Sequence, residues 1–278
     1  MTVLLIDTPL PGVRRLTLNR PEKRNALNNE LRGAVFKALE AHDNDPEVKL
    51  TIIRGAGPAF CSGYDLSADN RVGQPYHSAA GLGQWSRHVV EGWFHVWDLA
   101  KPVIAQVHGY CLAGGTELAT ACDLVYVAED AQIGYPPVRL MSPPDMQFHP
   151  WLMGMRQAME SMLTGDALTG AEAAAKGWAT RAYPLAALER EVLAIAERVA
   201  KLPTELAQIN KRSVHRAMEI SGMRAAIRAG TEIQALAFQT APSKEYMSRF
   251  RRDGKSVSDL LSERDSTFAD YRERKSDG

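Results

Sequence analysis

Glu117 stands three residues after Gly114, in the run His108-Gly109-Tyr110-Cys111-Leu112-Ala113-Gly114-Gly115-Thr116-Glu117-Leu118-Ala119. A carboxylate just behind a glycine turn serves one of two ends. It complements the positive end of a helix, or it moves a proton for something bound at the turn. A second glycine turn runs Gly57-Pro58-Ala59-Phe60-Cys61-Ser62-Gly63-Tyr64-Asp65-Leu66. Each turn follows an apolar strand-like segment and opens toward a helix, whose first amides lack partners of their own. Two such turns on neighbouring strands can aim two N–H groups at one point, which is the geometry of an oxyanion hole. Gly114-Gly115 also lets a ligand come close to the backbone. Taken singly, a glycine turn between strand and helix is more often only a turn.

The elements that position these turns alternate. Val3–Asp7 and Val13–Asn19 read as strands about a Pro-Gly turn. Asn28 or Asn29 caps a helix with Leu31, Val35 and Leu39 on one face. Leu50–Arg54, Pro102–His108 and Leu124–Ala128 are short apolar strands, and Trp85–Leu99 and Thr116–Ala121 are helices. Residues 67–82 read as a loop, and Gly109–Gly115 as a turn. Strand, turn and helix in order predict an α/β architecture. From about residue 145 the pattern is helical, with a capping box at Thr169 and Glu172 and a stop at Gly177. Ser243 is placed as the cap of a last helix, and the charged tail after Ser262 as fraying or packing on a neighbour. The expected division is a core over 1–200 and a helical oligomerisation region over 201–278.

Composition narrows the function. Lys+Arg and Asp+Glu number 33 each, so no long-range field attracts nucleic acid or an anionic membrane. Three cysteines, without CxxC or a His cluster, argue against a disulfide framework and a zinc site. The first residues carry no basic segment before their short apolar run, and no window reaches the length of a membrane span. The expected setting is cytoplasmic.

Taken together, the two turns resemble the paired signature of the crotonase superfamily, the enoyl-CoA hydratase/isomerase family. The resemblance continues through Asn19-Arg20-Pro21-Glu22-Lys23-Arg24-Asn25-Ala26-Leu27, Pro102–Gly109, Cys122-Asp123-Leu124, Ala131–Gly134, Leu163-Thr164-Gly165 and Ala171–Gly177. It implies a crotonase-like spiral of ββα units with a C-terminal helical trimerisation region, in a trimer or hexamer. It implies an acyl-CoA substrate and neither metal nor redox cofactor, coenzyme A arriving as part of the substrate. The amides of Tyr64 and Gly114 then hold the thioester oxygen, and Arg24, Ala26, Ser62, Asp65 and Leu66 contact CoA. Arg251, Arg252 or Lys255 would reach a phosphate.

Inside this resemblance Glu117 matches the water-activating glutamate of the hydratases. The second hydratase glutamate falls at Pro137, which carries no protic side chain. Asp145 lies where the family has a glycine at the start of a helix facing the acyl group. It reads equally as a replacement acid and as a helix N-cap. A carboxylate there also resembles the nucleophile of the aryl-CoA dehalogenases, but their imidazole base falls at Val90 and their aromatic at Pro137. Tyr135, His88, His95 and His149 are weaker candidates, and Tyr64 is bulkier than its family counterparts. The expected activity is hydration or dehydration of a 2-enoyl-CoA, as a lyase of fatty acid metabolism. The alternatives are an isomerase, C–C lyase or hydrolase on a bulky or cyclic acyl-CoA, or a non-catalytic CoA-binding protein.

Overall fold

Pro11-Gly12 folds Leu4–Leu10 (β1) back on Val13–Leu18 (β2), antiparallel, with Leu4 opposite Leu18. Gly12 takes φ 73°, the left-handed value that such a turn needs. The computed structural model describes residues 2–252 and 256–268. Lys255 and the side chains of Arg251 and Arg252 lie outside that description, and so does the phosphate contact expected of them.

Asn28 caps helix α1 (Asn29–Asn44), its side chain accepting from the Leu31 amide at 2.9 Å. Three ββα units follow. The first is β3 (Leu50–Gly55), β4 (Ala59–Cys61) and α2 (Gln84–Asp98). The second is β5 (Val103–Val107), β6 (Tyr110–Leu112) and α3 (Gly114–Ala121). The third is β7 (Leu124–Ala128), β8 (Gln132–Gly134) and α4 (His149–Thr164). Next come β9 (Leu168–Thr169), α5 (Gly170–Ala175) and β10 (Arg181–Tyr183). The helices α6 (Leu185–Ala200), α7 (Thr204–Ile220), α8 (Met223–Ala237), α9 (Ala241–Arg252) and α10 (Val257–Ser266) complete the described chain.

The first strand of each unit joins a six-stranded sheet, β1-β2-β3-β5-β7-β10, and the second joins a four-stranded sheet, β4-β6-β8-β9. From β2 to β10 the larger sheet is parallel. Its central strand VIAQV is buried throughout, as a strand covered on both faces must be. The chain therefore steps from one sheet to the other on every turn of a spiral. The first two steps are made at glycine turns, Gly57 and Gly109, and the third at Glu129-Asp130-Ala131.

Helix α3 is buried at all eight positions, GGTELATA, so small residues surround its single charge, Glu117. The segment Gly109–Gly115 is not wholly a turn: its middle pairs with β4 and β8 as β6. The last helices also differ from expectation. Helix α9 starts at Ala241, two residues before Ser243, because Pro242 fits a first helical turn. Residues 263–266 continue α10, which Ser256 caps through the amide of Asp259, and the tail from 269 lies outside the described residues. The helical third docks on the body. Helix α8 lies on α2 through Arg228–Glu91 at 2.8 Å and through Ser86 with Gln234. Lys211 of α7 reaches Asp123 at 2.9 Å. Among the described residues no helix is long and apolar enough to cross a membrane.

Candidate active site

The two glycine turns touch. A β-carbon added at Gly63 would sit 2.8 Å from the Ala113 β-carbon and 3.3 Å from the Gly114 nitrogen. Tyr64 is bridged to Leu27 in parallel fashion. The Leu27 amide donates to the Gly63 carbonyl at 2.7 Å, and the Asp65 amide to the Leu27 carbonyl at 2.9 Å. Those flanking bonds turn Tyr64's own N–H away from Leu27. Gly114 opens α3, so its N–H has no carbonyl within that helix. Among the described residues no backbone carbonyl accepts from either amide. Three non-glycine residues there hold positive φ: Arg24 at 48°, Asn25 at 56° and Ala113 at 49°. Ala113 lies in the second glycine turn, and Arg24 and Asn25 lie in the segment 19–27 that borders the first; strain of this kind gathers where geometry is functional.

The Tyr64 ring lies on Gly114, where a β-carbon would come within 2.6 Å of it. Gly115 is equally constrained, since a β-carbon there would lie 2.4 Å from the Cys61 carbonyl oxygen. The Tyr64 hydroxyl donates to Glu117 Oε2 at 2.7 Å and accepts from Trp93 Nε1 at 2.9 Å. Glu117 Oε1 accepts from the amides of Asp145 at 2.8 Å and Met146 at 3.4 Å. These amides are available because residues 142–146 form no regular structure.

Glu117 is 0% exposed, and burial pushes its carboxyl above the usual carboxylate range. The Tyr64 hydroxyl, the two amides and the Tyr135 phenol oppose that rise. Asp145 is 2% exposed, and its Oδ1 has no partner among the described residues. Burial and the neighbouring Glu117 charge push it well above the ordinary range. Glu117 is thus bonded as an acceptor, while burial and the Glu117 charge favour the protonated form of Asp145. Pairs whose environments separate them in this way divide acid and base roles.

The model of the enoyl-CoA hydratase/isomerase family matches residues 10–257. The chain belongs to this family. It is 35% identical to an enoyl-CoA hydratase/isomerase structure from Xanthobacter autotrophicus Py2, with a TM-score of 0.85 over 95% of this chain and 98% of the other. An enoyl-CoA hydratase structure from Mycobacterium smegmatis gives 28% identity and a TM-score of 0.85, over 95% and 94% of the two chains. The mitochondrial enoyl-CoA hydratase of Pongo abelii is 32% identical over 210 residues, 74% of this chain and 70% of that one. The solved structures show the fold to be that of the crotonases.

Four of the expected site residues of this family member, Tyr64, Gly114, Glu117 and Asp145, come together. The other group forms a continuous wall on the first turn. The Ser62 amide donates to the Arg24 carbonyl at 3.0 Å, and Arg20 binds the Ala26 carbonyl. Leu66 is half-buried beside it. The Asp65 carboxylate faces inward, bonded to Arg20 at 2.8 Å and to the Ser67 amide at 3.0 Å. Burial raises it, but the bonds from Ser67 and Arg20 outweigh that and hold it below the ordinary range. Pro137 sits in a tight turn, and its carbonyl accepts from Leu140, Met141 and Ser142. His88 and His149 are buried, each pushed down to about 4 by burial. His95 is exposed and meets Glu40 at 2.9 Å.

Sequence reasoning missed Arg32, Trp85 and the amide of Met146. Arg32 carried a signal: it shares the apolar stripe of α1 with Val35, Phe36 and Leu39. The Met146 contact is made by backbone and leaves no mark on residue type. Two surface hollows of about 450 and 570 Å³ lie elsewhere, and neither is lined by Glu117 or Tyr64.

Proposed function

We propose that this chain is an acyl-CoA lyase that hydrates and dehydrates a 2-enoyl-CoA. The observation that carries the reading is the fixed carboxylate of Glu117 in the first turn of the helix that Gly114 opens. In this reading the Tyr64 and Gly114 amides receive the thioester oxygen, and their free directions support that role. Glu117 takes a proton from water as the water oxygen bonds to the β-carbon. The enolate charge collects on the clamped oxygen. The neutral Asp145 gives the proton to the α-carbon and is restored from Glu117. Coenzyme A enters along Arg24, Ala26, Ser62, Asp65 and Leu66 as part of the substrate. The clamp itself supplies the polarisation, so the reading invokes no further cofactor.

The exposed Leu206, Ile209, Val214, Ile233 and Leu236 on α7 and α8 support self-association as a trimer or hexamer. The setting in this reading is cytoplasmic. Pro137 favours a second reading, in which a bulky or cyclic acyl-CoA is isomerised, cleaved or hydrolysed at the same clamp.

Steady-state assays on crotonyl-CoA test the first reading. Glu117→Gln is expected to lose about 10²- to 10⁴-fold in kcat, the usual range for a positioned acid or base. Undiminished turnover takes Glu117 out of the mechanism. Turnover of bulky acyl-CoA thioesters with crotonyl-CoA untouched shifts the assignment to the second reading.

A further inference from the structure

A second buried charge borders the Tyr64 ring. Arg32 is 0% exposed, and its Cζ lies 5.8 Å from the Tyr64 ring centre, 5.6 Å from Trp85 and 5.9 Å from Phe36. Its Nη1 donates to Asn29 Oδ1 at 3.0 Å. Its Nε and Nη2 make no hydrogen bond of normal geometry, and no carboxylate pairs with them within 4.0 Å, among the described residues, although the Tyr76 hydroxyl is close enough for Arg32 to act on it. Nε and Nη2 share one edge of the guanidinium. That edge presents two parallel N–H bonds spaced to meet both oxygens of a carboxylate. A buried polar edge without partners calls for an explanation, and an absent anion is one.

The surroundings fit an anion from outside the fold. Asp145 is close enough for Arg32 to act on it, yet the two form no ion pair or hydrogen bond among the described residues. Both ring nitrogens of His88 are buried and also lack partners among the described residues. Tyr76 stacks on His88 at 4.1 Å, in the loop that Asn29 Nδ2 ties down through the carbonyls of Asn70 and Val72, each at 2.8 Å. A hydrocarbon acyl chain would leave all these groups dry and unpaired. A CoA phosphate is a poor match, since the exposed Arg24 lies on the CoA wall while Arg32 lies behind aromatic rings.

We infer that Arg32 receives a carboxylate carried on the acyl group, so that the substrate class is the CoA monothioester of a short dicarboxylic acid. The inference rests on the clamp at Tyr64 and Gly114 and gives it a direction. The thioester binds at the two amides, and the free acid reaches past the Tyr64 ring to Arg32.

Calorimetric binding to the full chain tests it with unreactive saturated probes: glutaryl-CoA, its terminal methyl ester, and free CoA. Wild type is expected to bind the acid about tenfold or more tightly than the ester, as a bidentate charged contact implies. Arg32→Met brings that ratio to about one, and Arg32→Lys keeps only part of it, with thermal unfolding verifying that each variant is folded. Equal affinities for acid and ester in wild type overturn the inference and leave the clamp standing. A preference that survives in folded Arg32→Met overturns it too. If neither thioester binds better than free CoA, the proposed function falls, and this inference with it.

Discussion

Glu117 and Arg32 are both fully buried and both border Tyr64, yet the fold treats them oppositely. Glu117 has three donors in place: one hydroxyl and two amides. Arg32 has one acceptor, three aromatic faces and an open edge. The carboxylate is thus finished by the protein, and the guanidinium is not. A buried charge that is fully bonded is fixed in place and preorganised for chemistry. One left unfinished costs stability that a ligand can return on binding.

The sharpest way to break this contrast is to remove each charge with a side chain of similar volume. Glu117→Leu strands the Tyr64 hydroxyl and two amides, and should cost about 3–5 kcal/mol in denaturant unfolding. Arg32→Met removes an uncompensated charge, and should raise the stability of the ligand-free protein by about 1–3 kcal/mol. If both changes destabilise alike, the two sites do not differ as described.

Tyr64→Phe sharpens the contrast with a smaller effect, about 1–2 kcal/mol, because it leaves Trp93 Nε1 and Glu117 Oε2 unpaired. It also carries a signed pH prediction. The Tyr64 hydroxyl lowers the Glu117 pKa against the larger effect of burial, so its loss lets that pKa rise further. The acidic limb of the kcat profile should then move to higher pH. A limb that stays in place would mean that a group other than Glu117 controls it.

Much of the fold was legible in the sequence because it rests on local signals. Continuous apolar runs marked β3, β5 and β7, Asn28 or Asn29 marked the start of α1, and Thr169 with Glu172 marked α5. The chain order of strand, turn and helix marked the α/β class, and the family resemblance supplied the spiral. What stayed hidden depended on distant backbone. The pairing of Tyr110–Leu112 as β6 needs partners at 59–61 and 132–134. Within the site, Glu117 and the glycine turns were visible as residue types at fixed spacing. The amides of Asp145 and Met146 were not, since any residue there supplies the same N–H. Pro137 raised the question of a second acid, and only the fold brings Asp145 beside Glu117. Arg32 was readable as an anomaly on an apolar stripe, but its open edge appears only once its neighbours are in place.

Gly63 sets a dimension. Its missing β-carbon lets one strand crossover rest directly on the next, with the Gly114 nitrogen 3.3 Å from where that carbon would be. The width of the opening between the two amides is therefore governed by an atom that is not there. A single methyl group at residue 63 would act as a wedge, widening the mouth without altering any group that touches the ligand.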